Sequence, residues 1–138
     1  MTEGTIYSTL RHWYVDYGKI LRIENTVSEG TVDVIMFYKG RALMMELKVI
    51  REHKIKVRRF QLSTAVEYTK YAVPQSQYHF ACAGDGAVGI GLYTVEDISH
   101  APYTVLSNKD LQFSLKGIKP KYVLKSKSEL RTWLNQFD

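Results

Sequence analysis

Cysteine is almost absent from this chain. Cys82 is the only one in 138 residues, which excludes an internal disulfide framework and any zinc site built from clustered cysteines. A reducing, cytoplasmic setting is the simplest expectation. Paired histidines are missing too: His12, His53, His79 and His100 are scattered, and none forms the i,i+4 pair of helical zinc sites. No apolar run approaches the roughly 18–20 residues of a membrane span. Met1-Thr2-Glu3-Gly4 does not lead a basic stretch into an apolar core, so no secretory signal and no membrane partner are expected. Repeats, low-complexity tracts and linkers are lacking. The stretches Gly84-Asp85-Gly86 and Gly89-Ile90-Gly91 follow no P-loop or dinucleotide pattern and read as a hairpin turn and a close-packed strand. Cys82 reads as a buried core thiol.

What is present is ordinary globular material. Hydrophobic residues make up 45% and charged residues 24% of the chain, which argues for a packed core and against disorder. The length predicts a single domain over 1–138, with a core over about 3–95 and an extension over about 96–138. The net charge of +5 is unevenly spread. Residues 1–50 are neutral overall, 51–73 carry +4, 74–110 carry −3 and 111–138 carry +4. The excess sits in two blocks: Arg51, Lys54, Lys56, Arg58 and Arg59, then Lys116, Lys119, Lys121, Lys125 and Lys127. Clustered cations suit a polyanion, because neutralising phosphates releases counterions. They also occur as plain solvated surface.

Periodicity gives the elements. Ile6, Leu10, Trp13, Tyr14 and Tyr17 predict a helix over 3–17 that stops at Gly18. A short strand follows over 20–24 and a loop over 25–30. Strands over 31–38 and 42–50 flank a tight Lys39-Gly40 turn, giving a hairpin. Both look apolar on both faces, as in central strands covered on two sides. A basic loop over 51–56 leads to a helix over 57–72, ending near Pro74. Two strands are expected over 78–83 and 87–95, then irregular or short-strand chain over 100–125. Ser126 and Glu129 form a capping box for a helix over 127–137, with Leu130, Trp133, Leu134 and Phe137 as its buried stripe. The expected class is mixed α/β, a central mixed sheet flanked by helices, with a C-terminal extension ending in a helix.

Three charges stand out within the two most apolar strands. Asp33 interrupts Val32 and Val34-Ile35-Met36-Phe37; Glu46 and Lys48 interrupt Met44-Met45, Leu47 and Val49-Ile50. An unpaired buried charge costs several kcal/mol, so charges avoid such positions. Residues two apart on a strand share a face, which makes Glu46 and Lys48 neighbours, and the short turn sets residue 33 opposite roughly residue 46. Two carboxylates held together repel unless a hard divalent cation sits between them. Such a cation can polarise a phosphodiester and lower the pKa of a bound water, and an adjacent lysine can orient that water. A structural Asp–Lys–Glu ion cluster fits the same pattern. Gln61, on the following helix behind Arg58 and Arg59, shares a face with Ala65 and Tyr68 and is placed to look toward the sheet.

At these residues the sequence resembles the PD-(D/E)XK nuclease superfamily. The stretch is Gly30-Thr31-Val32-Asp33, twelve residues, Glu46-Leu47-Lys48, and Gln61 on a following helix. Within the superfamily it is most similar to the VRR-NUC group of virus-type replication-repair nucleases. Val32 stands where that group has a proline; the proline shapes the strand and carries no chemistry. The resemblance spans about residues 3–84 and implies a restriction-endonuclease-like αβββαβ core. It implies a Mg2+- or Mn2+-dependent endonuclease acting on branched DNA, of Holliday-junction or flap type, and working as a homodimer. Asp33 and Glu46 would be metal ligands, with the Leu47 backbone carbonyl as a third and Glu3 or Glu24 as a further candidate. Lys48 would position the attacking water, and Gln61 matches the helical glutamine. Arg51, His53, Lys54, Lys56, Arg58, Arg59, Lys119 and Lys121 would bind the nucleic acid. The same fold used only to bind nucleic acid is the competing reading.

Overall fold

The computed structural model describes residues 1–23, 33–71, 77–84 and 88–138. Its elements are α1 (Glu3–Tyr14), β1 (Lys19–Arg22), β2 (Val34–Tyr38), β3 (Arg41–Val49), β4 (Lys54–Arg58), α2 (Arg59–Tyr71) and β5 (Gln77–Ala83). There follow β6 (Ile90–Thr94), α3 (Val95–Ser99), β7 (Tyr103–Val105), β8 (Asp110–Ser114), β9 (Tyr122–Leu124) and α4 (Lys127–Asn135). Six strands form one sheet in the order β1-β2-β3-β5-β6-β9, and three form a second in the order β4-β8-β7. In the large sheet β3 and β5 run parallel and the other neighbours antiparallel. A mixed sheet with flanking helices is the expected class. No helix among the described residues is long and apolar enough to cross a membrane.

The period of two along β3 builds both sides of the sheet. Leu43, Met45 and Leu47 pack with Ile6, Leu10 and Tyr14 of α1 and with Leu130, Trp133 and Leu134 of α4. Met44 joins Ala65 of α2, Val95 and Ile98 of α3, and Ile55, Val57, Leu111 and Phe113 of the small sheet. By alternation Glu46 and Lys48 share the second side with Met44. The β2–β3 turn holds Lys39 at φ 48° and Gly40 at φ 77°. Positive φ at both central residues is the two-residue turn whose twist matches that of the strands it joins.

Several boundaries differ from the sequence expectation for identifiable reasons. The segment over 51–58 is not loop and helix start: Lys54-Ile55-Lys56-Val57-Arg58 alternates, Ile55 and Val57 are buried, and the segment is strand β4. Its turn is as tight as the first, with Glu52 at φ 52° and His53 at φ 61° between the paired Arg51 and Lys54. The first helix ends at Tyr14 rather than residue 17. Gly18 acts by close approach: a Cβ there would lie 2.6 Å from the Phe37 carbonyl oxygen. Phe37 is 44% exposed, so β2 is not covered on both sides as β3 is. Helix α3 is absent from the sequence expectation; Thr94 caps it by accepting from the Asp97 N–H. Ser126 caps α4 as expected, but the Glu129 carboxylate reaches the Lys125 N–H, one residue outside the usual box. Cys82 is buried and free. The expectations for Glu24, for Gly30-Thr31-Val32, for the loop over 25–30 and for Pro74 fall outside the described residues.

Candidate active site

The register of the hairpin assembles the charged cluster. Tyr38 pairs with Arg41 across the two-residue turn and Val34 with Met45, so Asp33 arrives beside Glu46. The N–H of Leu47 is next in line for the ladder, and it donates to the Asp33 carboxylate at 2.9 Å. A strand residue points its N–H and C=O to the same edge, so the Leu47 carbonyl faces the Asp33 side as well. Strand β5 supplies a wall that sequence alone did not predict: Met44 pairs with Tyr78, and the Tyr78 hydroxyl donates to Glu46 Oε1 at 3.3 Å.

Helix α2 closes the cluster from above with Gln61. Its Oε1 accepts from Lys48 Nζ at 2.8 Å and from the Arg58 N–H at 3.0 Å, while its Nε2 donates to Glu46 Oε2 at 3.2 Å. Gln61 therefore ties the lysine to the carboxylate. Asp33, Glu46, Lys48 and Gln61 come together as the sequence spacing predicts.

Electrostatics set the state of the pair. Glu46 is fully buried. Burial pushes its carboxyl up to about 9; a hydrogen bond to Asp33 and the Asp33 charge push the same way, and Lys48 and the Tyr78 hydroxyl offset them in part. Burial and the neighbouring Asp33 thus favour the protonated form of Glu46, which relieves the repulsion between the two carboxylates. A hard divalent cation takes the place of such a proton, so this oxygen donor set fits one. Burial also raises the Tyr78 hydroxyl, reinforced by the Glu46 charge. Among the described residues no three His, Cys, Asp or Glu side chains cluster, so the donors at hand are Asp33, Glu46 and the Leu47 carbonyl.

A cleft of about 480 Å³ opens at the Lys48 and Gln61 side of this cluster, lined also by Glu3, Arg51, Lys56 and Arg58 among others. Four of these six are cationic. Glu3, in the first turn of α1, stands at its mouth. Burial raises its carboxyl, with Lys48 lowering it and Asp33 raising it again. Thr2 also lines the cleft and caps α1 through the Thr5 N–H. Lys54 and Arg59 are exposed beside the cleft, and His53 sits at the tip of the Arg51–Lys54 turn. Lys119 and Lys121 are not part of the cleft lining. The Lys121 charge reaches His79, which packs against Trp133 on the α4 side of the sheet. Tyr78 escapes sequence reasoning because its role depends on the parallel β3–β5 register, which no local spacing encodes.

No protein-family model matches the chain, and no curated protein matches it. Among solved structures it is similar to Hjc of Archaeoglobus fulgidus, a Holliday junction resolvase from an archaeal hyperthermophile. The TM-score is 0.58 at 13% identity, over 82% of this chain and 88% of that one. At that identity the likeness is one of fold, and the fold is the restriction-endonuclease-like one.

Proposed function

We propose that this chain is a divalent-cation-dependent deoxyribonuclease that cuts branched DNA of Holliday-junction or flap type. The observation that carries the reading is the buried Glu46 carboxyl held against Asp33, with Lys48 and Gln61 locked beside it under a cationic cleft. Asp33, Glu46 and the Leu47 carbonyl would hold magnesium or manganese. That ion would offset the carboxylate charges, polarise the phosphodiester and acidify a bound water. Lys48 orients the attacking water. Gln61 fixes Lys48 by accepting from its ammonium and fixes Glu46 by donating to its carboxylate. The water loses a proton to solvent as its oxygen adds to phosphorus, the opposite P–O ester bond breaks, and the departing alkoxide takes a proton from solvent, so that one water is consumed and no net proton. Arg51, Lys56 and Arg58 on the cleft wall hold flanking phosphates, and such contacts are blind to base sequence. Lys54, Arg59 and His53 extend that contact, while Lys119 and Lys121 lie outside the cleft and would meet only DNA that reaches beyond it.

The branched substrate is supported by the fold shared with a protein named a Holliday junction resolvase. A homodimer would bring two such sites to two strands of one junction; the exposed apolar Leu21 and Phe37 offer it a surface. The VRR-NUC group remains our assignment within the superfamily, resting on the Asp33, Glu46-Leu47-Lys48 and Gln61 pattern.

The test is cleavage of labelled four-way junction, flap, linear duplex and single strand with magnesium or manganese, comparing the wild type with Glu46→Ala. Metal-dependent cutting, strongest on branched DNA and lost in the variant, is expected. No cutting, with salt-sensitive DNA binding retained, would make the chain a binding module and the charged cluster a structural one.

A further inference from the structure

The fold joins the two cationic blocks that the sequence keeps apart. On β4, Ile55 and Val57 point inward, so Lys54, Lys56 and Arg58 share the outward face. Strand β8 lies antiparallel to it, setting Ser114 opposite Lys54, Gln112 opposite Lys56 and Asp110 opposite Arg58. Strand β7 adds Thr104 beside Gln112. The Leu115 N–H donates to the His53 carbonyl at 2.7 Å, which places Lys116, the first lysine of the second block, beside the β3–β4 turn. Lys56 and Arg58 also line the cleft. A single row of cations therefore borders the cleft, where Arg51 lies as well, and continues past Lys54 to Lys116, with Ser114 and Gln112 as uncharged neighbours and Asp110 as an acidic one.

Resting on the nuclease reading, we propose that this outward face of β4, β8 and β7 is a rail for a nucleic-acid backbone, carrying the substrate segment that leaves the cleft. Alternate strand residues lie about 6.8 Å apart, a spacing comparable to successive phosphates along one nucleic-acid strand. Pairing with β8 keeps β4 extended, so the cations hold their spacing before the ligand arrives. Ser114, Gln112 and Thr104 supply uncharged partners for phosphate and sugar oxygens. The outward side chains of these strands, Lys54, Lys56, Arg58, Asp110, Gln112, Ser114 and Thr104, are all polar, and the exposed Tyr103 and Val105 of β7 belong to the alternate positions. Asp110 tempers the row, its Oδ2 lying 3.5 Å from Lys56 Nζ. The C-terminal extension thus has a role: it turns a basic segment into a straight binding edge.

The experiment measures DNA binding by the full chain without divalent metal, so that nothing is cut. Labelled duplex and four-way junction are titrated across a range of salt. In Lys54→Gln/Lys56→Gln/Lys116→Gln, the slope of log affinity against log salt should shrink by about 0.9 for each phosphate no longer neutralised. Asp110→Asn should tighten binding at low salt by about twofold, a gain that misfolding cannot imitate. Wild-type binding with both variants unchanged overturns the rail and leaves the nuclease reading standing if the wild type still cleaves with metal. A shallower slope in a protein that never cleaves keeps the rail and overturns the nuclease. An equal weakening toward anionic lipid vesicles would make the face a general anion patch and overturn the proposal, as would a wild type that binds no DNA.

Discussion

The two faces of β3 come from alternate residues of one strand, yet they do opposite things. Leu43, Met45 and Leu47 look toward α1 and α4 and meet apolar side chains. Met44, Glu46 and Lys48 look toward α2, where a carboxyl, an ammonium, an amide and a phenol form one hydrogen-bonded group. A strand tolerates a buried acid on one side when the other side supplies the cohesion and the acid's own neighbours satisfy it. The difference separates residues that hold the protein together from residues held in place by it.

Exchanging the character of the two faces gives the largest effects. Glu46→Leu makes the second face resemble the first. Cleavage should fall by about a thousandfold or more, since the lost stabilisation of the transition state is several kcal/mol. The melting temperature should drop less than in Leu47→Ala, because an apolar side chain replaces a desolvated carboxyl. Leu47→Ala is the converse. It opens a hole among α1, α4 and the sheet and should cost about 2–5 kcal/mol in denaturant unfolding, with the metal requirement of cleavage unaltered.

The α4 face carries a titration of the opposite sign to that of Glu46 on the site face. Burial, helped by the Lys121 charge, lowers the His79 imidazole to about 4 from an ordinary 6.5. Between those values the unfolded chain binds a proton that the folded chain does not. Stability is therefore fully present above pH 6.5 and declines as pH falls toward 4, by at most roughly 3 kcal/mol. Glu46 contributes a slope of opposite sign over part of this range, so the measure is the difference in unfolding free energy between the wild type and His79→Phe, which keeps a ring against Trp133; that difference should decline as pH falls from 6.5 toward 4. A smaller effect belongs to Gln61→Ala. Freeing Lys48 from Glu46 should lower the cleavage rate about 10–100-fold while leaving DNA affinity within a factor of two or so. Smaller still, Tyr78→Phe removes one hydrogen bond to Glu46 and should cost about 1 kcal/mol.

These contrasts also show what the chain discloses before it is folded. Asp33, Glu46 and Lys48 are legible because charge inside an apolar strand needs a reason. Their meeting is legible because Lys39-Gly40 leaves the hairpin one short register. Gln61 is legible through its helical neighbours. Tyr78 is not, since the parallel β3–β5 register is set by a long crossover through β4 and α2. The small sheet is not legible either, because β4 finds its partner only at residues 110–114. The alternation of Lys54-Ile55-Lys56-Val57-Arg58 is nonetheless a plain strand pattern, and its high charge obscures it.

The pairing of β4 with β8 has a consequence for how the protein comes into being. Synthesis runs from the N-terminus. Asp33, the strand bearing Glu46, the helix bearing Gln61 and strand β5 all precede residue 84, so the charged cluster can assemble on an unfinished chain. The basic wall cannot, because Leu111 and Phe113, which pack with Ile55 and Val57 beneath it, are made later. A nascent chain stopped before residue 110 would carry the charged cluster without the paired basic wall. Contact between such distant segments also forms slowly, so the basic wall should be the last part of the fold to form.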